Sequence, residues 1–145
     1  MRESKAARAL YDNDFVLWLE EQGRALRGRR LADLDVPNII EEIEALGRDQ
    51  RRELGSRISV VLTHLLKLAY RPARKSRSWR VTLFTQRGEI ARLLEASPSL
   101  RRLIPEAIQH NYPRARRAAA LETALSLKRF PADCPFEAAE VLADG

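Results

Sequence analysis

"NIIEEIEALGRDQRRELGSRISVVLTHLLKLAY", residues 38–70, decides how the chain is read. No proline falls between Pro37 and Pro72, so a single helix through this stretch would run about 45 to 50 Å at 1.5 Å per residue. At 100° per residue Leu54, Ile58, Val61, Leu62, Leu65 and Ala69 share one face, with Leu66 and Leu68 widening it. That face reads as core. Upstream lies a polar waist from Gly47 to Gly55, in which each glycine costs about 1 kcal/mol relative to alanine. One long helix and two helices broken at the waist both remain open.

Caps and periodicity extend the reading in both directions. Asp12 or Asp14 opens a helix carrying Phe15, Trp18, Leu19 and Leu26 on one face and ending near Gly28. Asp33, Asp35 and Asn38 are N-cap candidates for the next helix, and Asn38 with Glu41 has capping-box spacing. A third helix is expected from Ser78 to Ala96, and Ser97-Pro98 opens a fourth. Pro113 is expected to kink or restart that helix near Tyr112, and Cys134-Pro135-Phe136-Glu137 to cap a short terminal one. No stretch alternates like a strand over more than a few residues. The expectation is an all-α, single-domain bundle spanning 1–145, with four to six helices and one long central helix.

With 145 residues, a domain buries roughly two thirds of the surface that its unfolded chain exposes. The longest apolar runs fall far short of the ~20 residues a membrane span requires, and the first residues lead into no signal-type apolar core. The single cysteine, Cys134, forms no internal disulfide. These features point to a cytoplasmic protein with no membrane partner. The net charge is +6, from twenty-two arginines and four lysines against 20 acids. It is blocked: residues 31–47 carry five acids and no base, residues 64–80 six bases and no acid, and residues 130–145 four acids and no base.

Two sets of residues stand out. Arg57, His64 and Arg71 recur every seven residues with Lys67 beside them, continued by Arg74, Lys75, Arg77 and Arg80 with Trp79 among them. Bases interleaved with an aromatic suit an anion or a nucleic acid. The plainer expectation places the His64 ring at the core edge, bonded to a neighbouring backbone group or acid, and Lys67 in water. The second set is polar side chains lying in apolar stripes: Gln22, Gln50, Gln86, Asn111 and Glu122, with Arg87 flanking. Buried without partners, such groups cost about 1 to 3 kcal/mol each, so they are expected to meet one another or Arg87, with Glu122 as the acid for Arg87. The alternative is a pocket.

Catalytic and metal templates find little. Glu41, Glu42 and Glu44 are close together, but His64 is twenty residues past Glu44, about 30 Å along a straight helix. Glu-x-x-His, P-loop, Gly-x-Ser-x-Gly and zinc spacings do not occur. No catalytic, cofactor-binding or metal-binding residue is assigned. An enzyme would have to use His64, or Cys134 with its thiol pKa lowered at a helix N-terminus.

Tyr11, Asp14, Trp18, the Glu41 to Leu46 run, His64-Leu-Leu-Lys67, Ser78-Trp79, Gln86-Arg87, Pro98-Ser-Leu100 and Glu122-Thr123 together resemble the small bacterial helical proteins grouped as domain-of-unknown-function family twenty-nine. The resemblance spans nearly the whole chain. It implies an all-helical bundle and supplies no activity, cofactor or catalytic residue.

The leading expectation is a non-catalytic protein-binding or regulatory module. In its simplest version it self-associates, with the acidic 31–47 segment pairing with the basic 64–80 segment of another copy. Nucleic-acid binding through residues 64–80 is the alternative partner reading.

Overall fold

The computed structural model describes residues 5–71 and 76–143. Among them are six α-helices and no strand: α1 (Lys5–Asn13), α2 (Phe15–Arg27), α3 (Val36–Tyr70), α4 (Ser76–Ala96), α5 (Ile104–Thr123) and α6 (Ala138–Leu142). The all-α architecture with a long central helix is therefore present. The waist does not break α3, which continues through Gly47 and Gly55 for 35 residues. Two compact units can be distinguished along the chain, Met1–Arg48 and Asp49–Gly145.

In the N-terminal unit α2 starts where its cap predicts. The Asp14 carboxylate accepts from the Leu17 N–H at 3.1 Å, and Gly28 closes the helix. The preceding helix, α1, is an element that the sequence reading does not include. Its Tyr11 ring stands edge-on to Trp18 at 4.8 Å. The centre of the unit is polar as well as aromatic. Trp18 and Asp35 are each 1% exposed, and Trp18 Nε1 donates to Asp35 Oδ2 at 3.1 Å. Asn38 Nδ2 donates to the same oxygen at 2.8 Å, and the Asp35 N–H donates to Gln22 Oε1 at 2.8 Å. Asn38 thus lies inside α3 and braces Asp35, where a capping role was expected for it.

The C-terminal unit holds the apolar core. Leu54, Ile58, Val61, Leu62 and Leu66 of α3 pack with Leu83, Ile90 and Leu94 of α4 and with Ile104, Ile108, Tyr112, Ala115 and Ala119 of α5. Around Val61 to Lys67 the buried residues run nearly all the way round α3, because Val61, Leu62, Thr63, Leu66 and Lys67 point in most directions of the helical wheel. A one-sided stripe therefore misplaces the polar side of this segment. The Ser97-Pro98 start leads into a 3₁₀ stretch, Pro98–Leu103, before α5 begins. α5 runs unbroken through Pro113, whose missing N–H falls on the exposed side of the helix. Glu137 and Glu140 form the capping box of α6.

Candidate functional site

Burial on all sides sets the chemistry at the end of α3. Lys67 is only 6% exposed, where the stripe reading placed it in water. Its Nζ donates to Glu122 Oε2 at 2.7 Å and lies 4.7 Å from the centroid of the Trp79 ring. A carboxylate and an aromatic face together offset the loss of water around the ammonium. One turn earlier the half-buried His64 ring meets the Val60 carbonyl at 2.8 Å through Nδ1. Burial holds its pKa below the ordinary 6.5; the Val60 contact opposes this, and the Lys67 charge adds to it. Three helices contribute side chains to this cluster, His64 and Lys67 from α3, Trp79 from α4 and Glu122 from α5.

Much of the basic set is occupied by the chain's own acceptors. Arg57 bonds Glu53 at 3.0 Å, reaches Gln86 Oε1 at 3.2 Å and stands 3.8 Å from Glu89. Arg71 donates to the Thr123 carbonyl at the end of α5. Arg77 and Arg80 are exposed. Arg74 and Lys75 lie outside the described residues. The same use of guanidinium recurs beyond the set. Arg87 donates to the Val141 and Glu140 carbonyls at 3.1 and 2.6 Å. Arg116 donates to the Leu127 carbonyl at 3.1 Å and twice to Phe130 O, at 3.1 and 3.0 Å. Carbonyls at helix and turn ends lack intrahelical donors and carry the negative end of the dipole, which a guanidinium fork satisfies in pairs. Part of the arginine excess is therefore an internal brace.

The polar residues in the stripes are not gathered into one network. Gln22 is buried against the Asp35 N–H. Gln86 accepts from Arg57, and Asn111 donates to the Ala107 carbonyl at 2.7 Å. Glu122 takes Lys67, while the guanidinium expected for it, Arg87, holds the end of α6. Gln50 is exposed, because no α3 residue before Leu54 is buried. The acidic run is likewise satisfied locally. Glu41 and Glu44 lie 2.8 and 3.9 Å from Arg48, Asp33 lies 3.5 Å from Arg30, and Glu42 accepts from the Tyr11 hydroxyl. That bond pushes the Tyr11 pKa up to about 12.

The sequence reading puts Phe15, Trp18, Leu19 and Leu26 on one apolar face of α2, with Gln22 in that stripe. In the N-terminal unit Phe15, Leu19 and Leu26 of α2 and Val36, Ile40, Ile43 and Leu46 of α3 are exposed, Ile43 at 63% and Leu46 at 67%. Apolar side chains at helical spacing thus stand exposed along this face. The signal was in the sequence: Val36, Ile40, Ile43 and Gly47 recur at i, i+4, i+7 and i+11, the repeat of a helix seam.

The described residues contain no group of three or more His, Cys, Asp or Glu placed to hold a metal. Cys134 lies ahead of α6, and burial pushes its thiol pKa up, opposite to the shift expected at a helix N-terminus. No described helix is long and apolar enough to cross a membrane. The family model described as Domain of unknown function DUF29 matches residues 10–145. The chain belongs to the DUF29 family. No curated protein and no solved structure matches it. The DUF29 match takes in α2 to α6 whole and the end of α1, so it covers all of the C-terminal unit and the N-terminal unit from residue 10 onward.

Proposed function

We propose that this DUF29 protein is a non-catalytic protein-binding module whose partner is a second copy of the chain, docked antiparallel along the first half of α3. Ten of the fourteen large apolar side chains exposed among the described residues fall between Phe15 and Leu46, and that concentration carries the proposal. A second copy fits for two reasons. Gly47 has open space where a Cβ would stand, so the Ile43 side chain of an antiparallel copy seats over it, and the twofold axis that brings this about passes beside Ala45. The same axis sets Glu41 and Glu44 of one copy beside Arg48 of the other, on the flank where these groups already attract one another within a chain. Both contacts occur twice in an isologous pair.

Pairing between the 31–47 and 64–80 segments, the simplest version from sequence, draws less support, since Lys67 and Arg71 have internal acceptors. Nucleic-acid binding through 64–80 is weakened for the same reason. The raised thiol pKa of Cys134 does not favour a nucleophile. A cytoplasmic setting goes with the proposal, because the lone cysteine needs no oxidising compartment.

Sedimentation equilibrium of the full chain is expected to show a monomer–dimer equilibrium that Ile43→Glu shifts to monomer with an unchanged circular-dichroism spectrum. A wild-type monomer up to millimolar concentration, or a dimer indifferent to Ile43→Glu, would overturn it.

A further inference from the structure

We infer that the groove between α3 and α5 in the C-terminal unit binds a small phosphate monoester with an apolar or aromatic body. The groove has a volume of about 470 Å³, within the size range of small-molecule sites. Arg51 and Arg52 line it from α3, and His110 and Arg114 from α5, with Glu106 the only acid among its lining residues. These arginines differ from those that brace carbonyls elsewhere. Arg51 and Arg114 make no hydrogen bond or ion pair with another described residue, and Arg52 has only an exposed 3.6 Å contact with Asp49. Three arginines at one groove bring like charges together, and a dianion bound there offsets their repulsion while its oxygens accept from planar forks.

The rest of the groove selects the body of the ligand. Leu54, Leu103 and Ala107 also line it, beside the polar Asn111. A Cβ on Gly55 would stand 3.3 Å from Asn111 Nδ2, so glycine at this point lets α5 lie close while the Asn111 amide stays tied to Ala107. Cations with apolar side chains beside them suit an anionic head on an apolar body, and inorganic phosphate fills only the head position.

Phenyl phosphate titrated into the full chain, followed by the amide resonances of Gly55 and Asn111, tests the inference. Saturable shifts are expected, with weaker binding of inorganic phosphate and none of the neutral benzyl alcohol. Arg51→Ala and Arg114→Ala are each expected to weaken phenyl phosphate by about tenfold, as for one lost charge-assisted hydrogen bond. Both residues are exposed, so the variants should keep the wild-type melting curve. Shifts that do not saturate at millimolar ligand, or binding indifferent to both substitutions, would overturn the inference. Tight binding of a short oligonucleotide through these arginines, with phenyl phosphate ineffective, would overturn it in favour of a polymer. In the Ile43→Glu background phenyl phosphate binding should be unchanged, so this site and the self-association stand or fall separately.

Discussion

Lys67 and Glu122, fifty-five residues apart in the chain, meet at 2.7 Å, and the two ends of that pair lie in different surroundings: the lysine side chain is 8% exposed and the glutamate 49%. The asymmetry decides which partner matters more. Removing Glu122 leaves a buried ammonium with the Trp79 face as its remaining stabilisation, whereas removing Lys67 leaves a carboxylate that water can reach. Glu122→Ala is therefore expected to destabilise by about 1 to 3 kcal/mol, less than for a fully buried pair because water partly replaces the lost carboxylate. Lys67→Met, which keeps the packing and removes the charge, should lie within about 1 kcal/mol of wild type. Urea unfolding of the two variants checks the order, which should not reverse.

Arg116 holds two carbonyls with three hydrogen bonds. A lysine there keeps the charge and loses the fork. Arg116→Lys should cost about 1 to 2 kcal/mol in chemical denaturation and raise hydrogen exchange between Leu127 and Phe130. Unchanged exchange would show that charge alone secures the turn.

In the N-terminal unit Gln22→Leu keeps approximate size and removes the acceptor of a buried N–H at Asp35. The expected loss is about 1 to 3 kcal/mol for that unit. Asp35 Oδ1 is already buried without a hydrogen-bond partner, so the site has little capacity to absorb another unmet group. Faster hydrogen exchange over residues 15–35, with the 83–119 core unchanged, is the expected signature.

His64 gives a pH dependence with a definite sign. Its folded pKa lies below the ordinary 6.5, so the folded state binds fewer protons than the unfolded chain. The contribution of the neutral ring is fully present above about pH 6.5 and is lost as pH falls through the folded pKa. His64→Gln should flatten the stability profile between about pH 7 and pH 5, and equally steep profiles for variant and wild type would contradict the assignment.

The sequence showed the architecture more readily than the side-chain pairings. The 38–70 pattern, the Asp14 cap and Ser97-Pro98 reveal helices because local chemistry decides where helices begin and end. The Lys67 environment was hidden because it depends on α4 and α5 closing round α3, a fact absent from α3's own periodicity. Gln50, Phe15 and Leu26 mark the opposite failure. A stripe shows which face is apolar, and only tertiary contacts decide whether anything covers it. The arginine braces were equally invisible, since an acceptor carbonyl leaves no mark on residue identity.

Antiparallel pairing about Ala45 is tested most directly by disulfide formation between two cysteine variants, Ile43→Cys and Gly47→Cys, each made with Cys134→Ser. The arrangement predicts rapid cross-linking when the two variants are mixed, because position 43 of one copy faces position 47 of the other, and slow cross-linking of either alone. Preferential cross-linking of Ile43→Cys to itself, or none in the mixture, would contradict it.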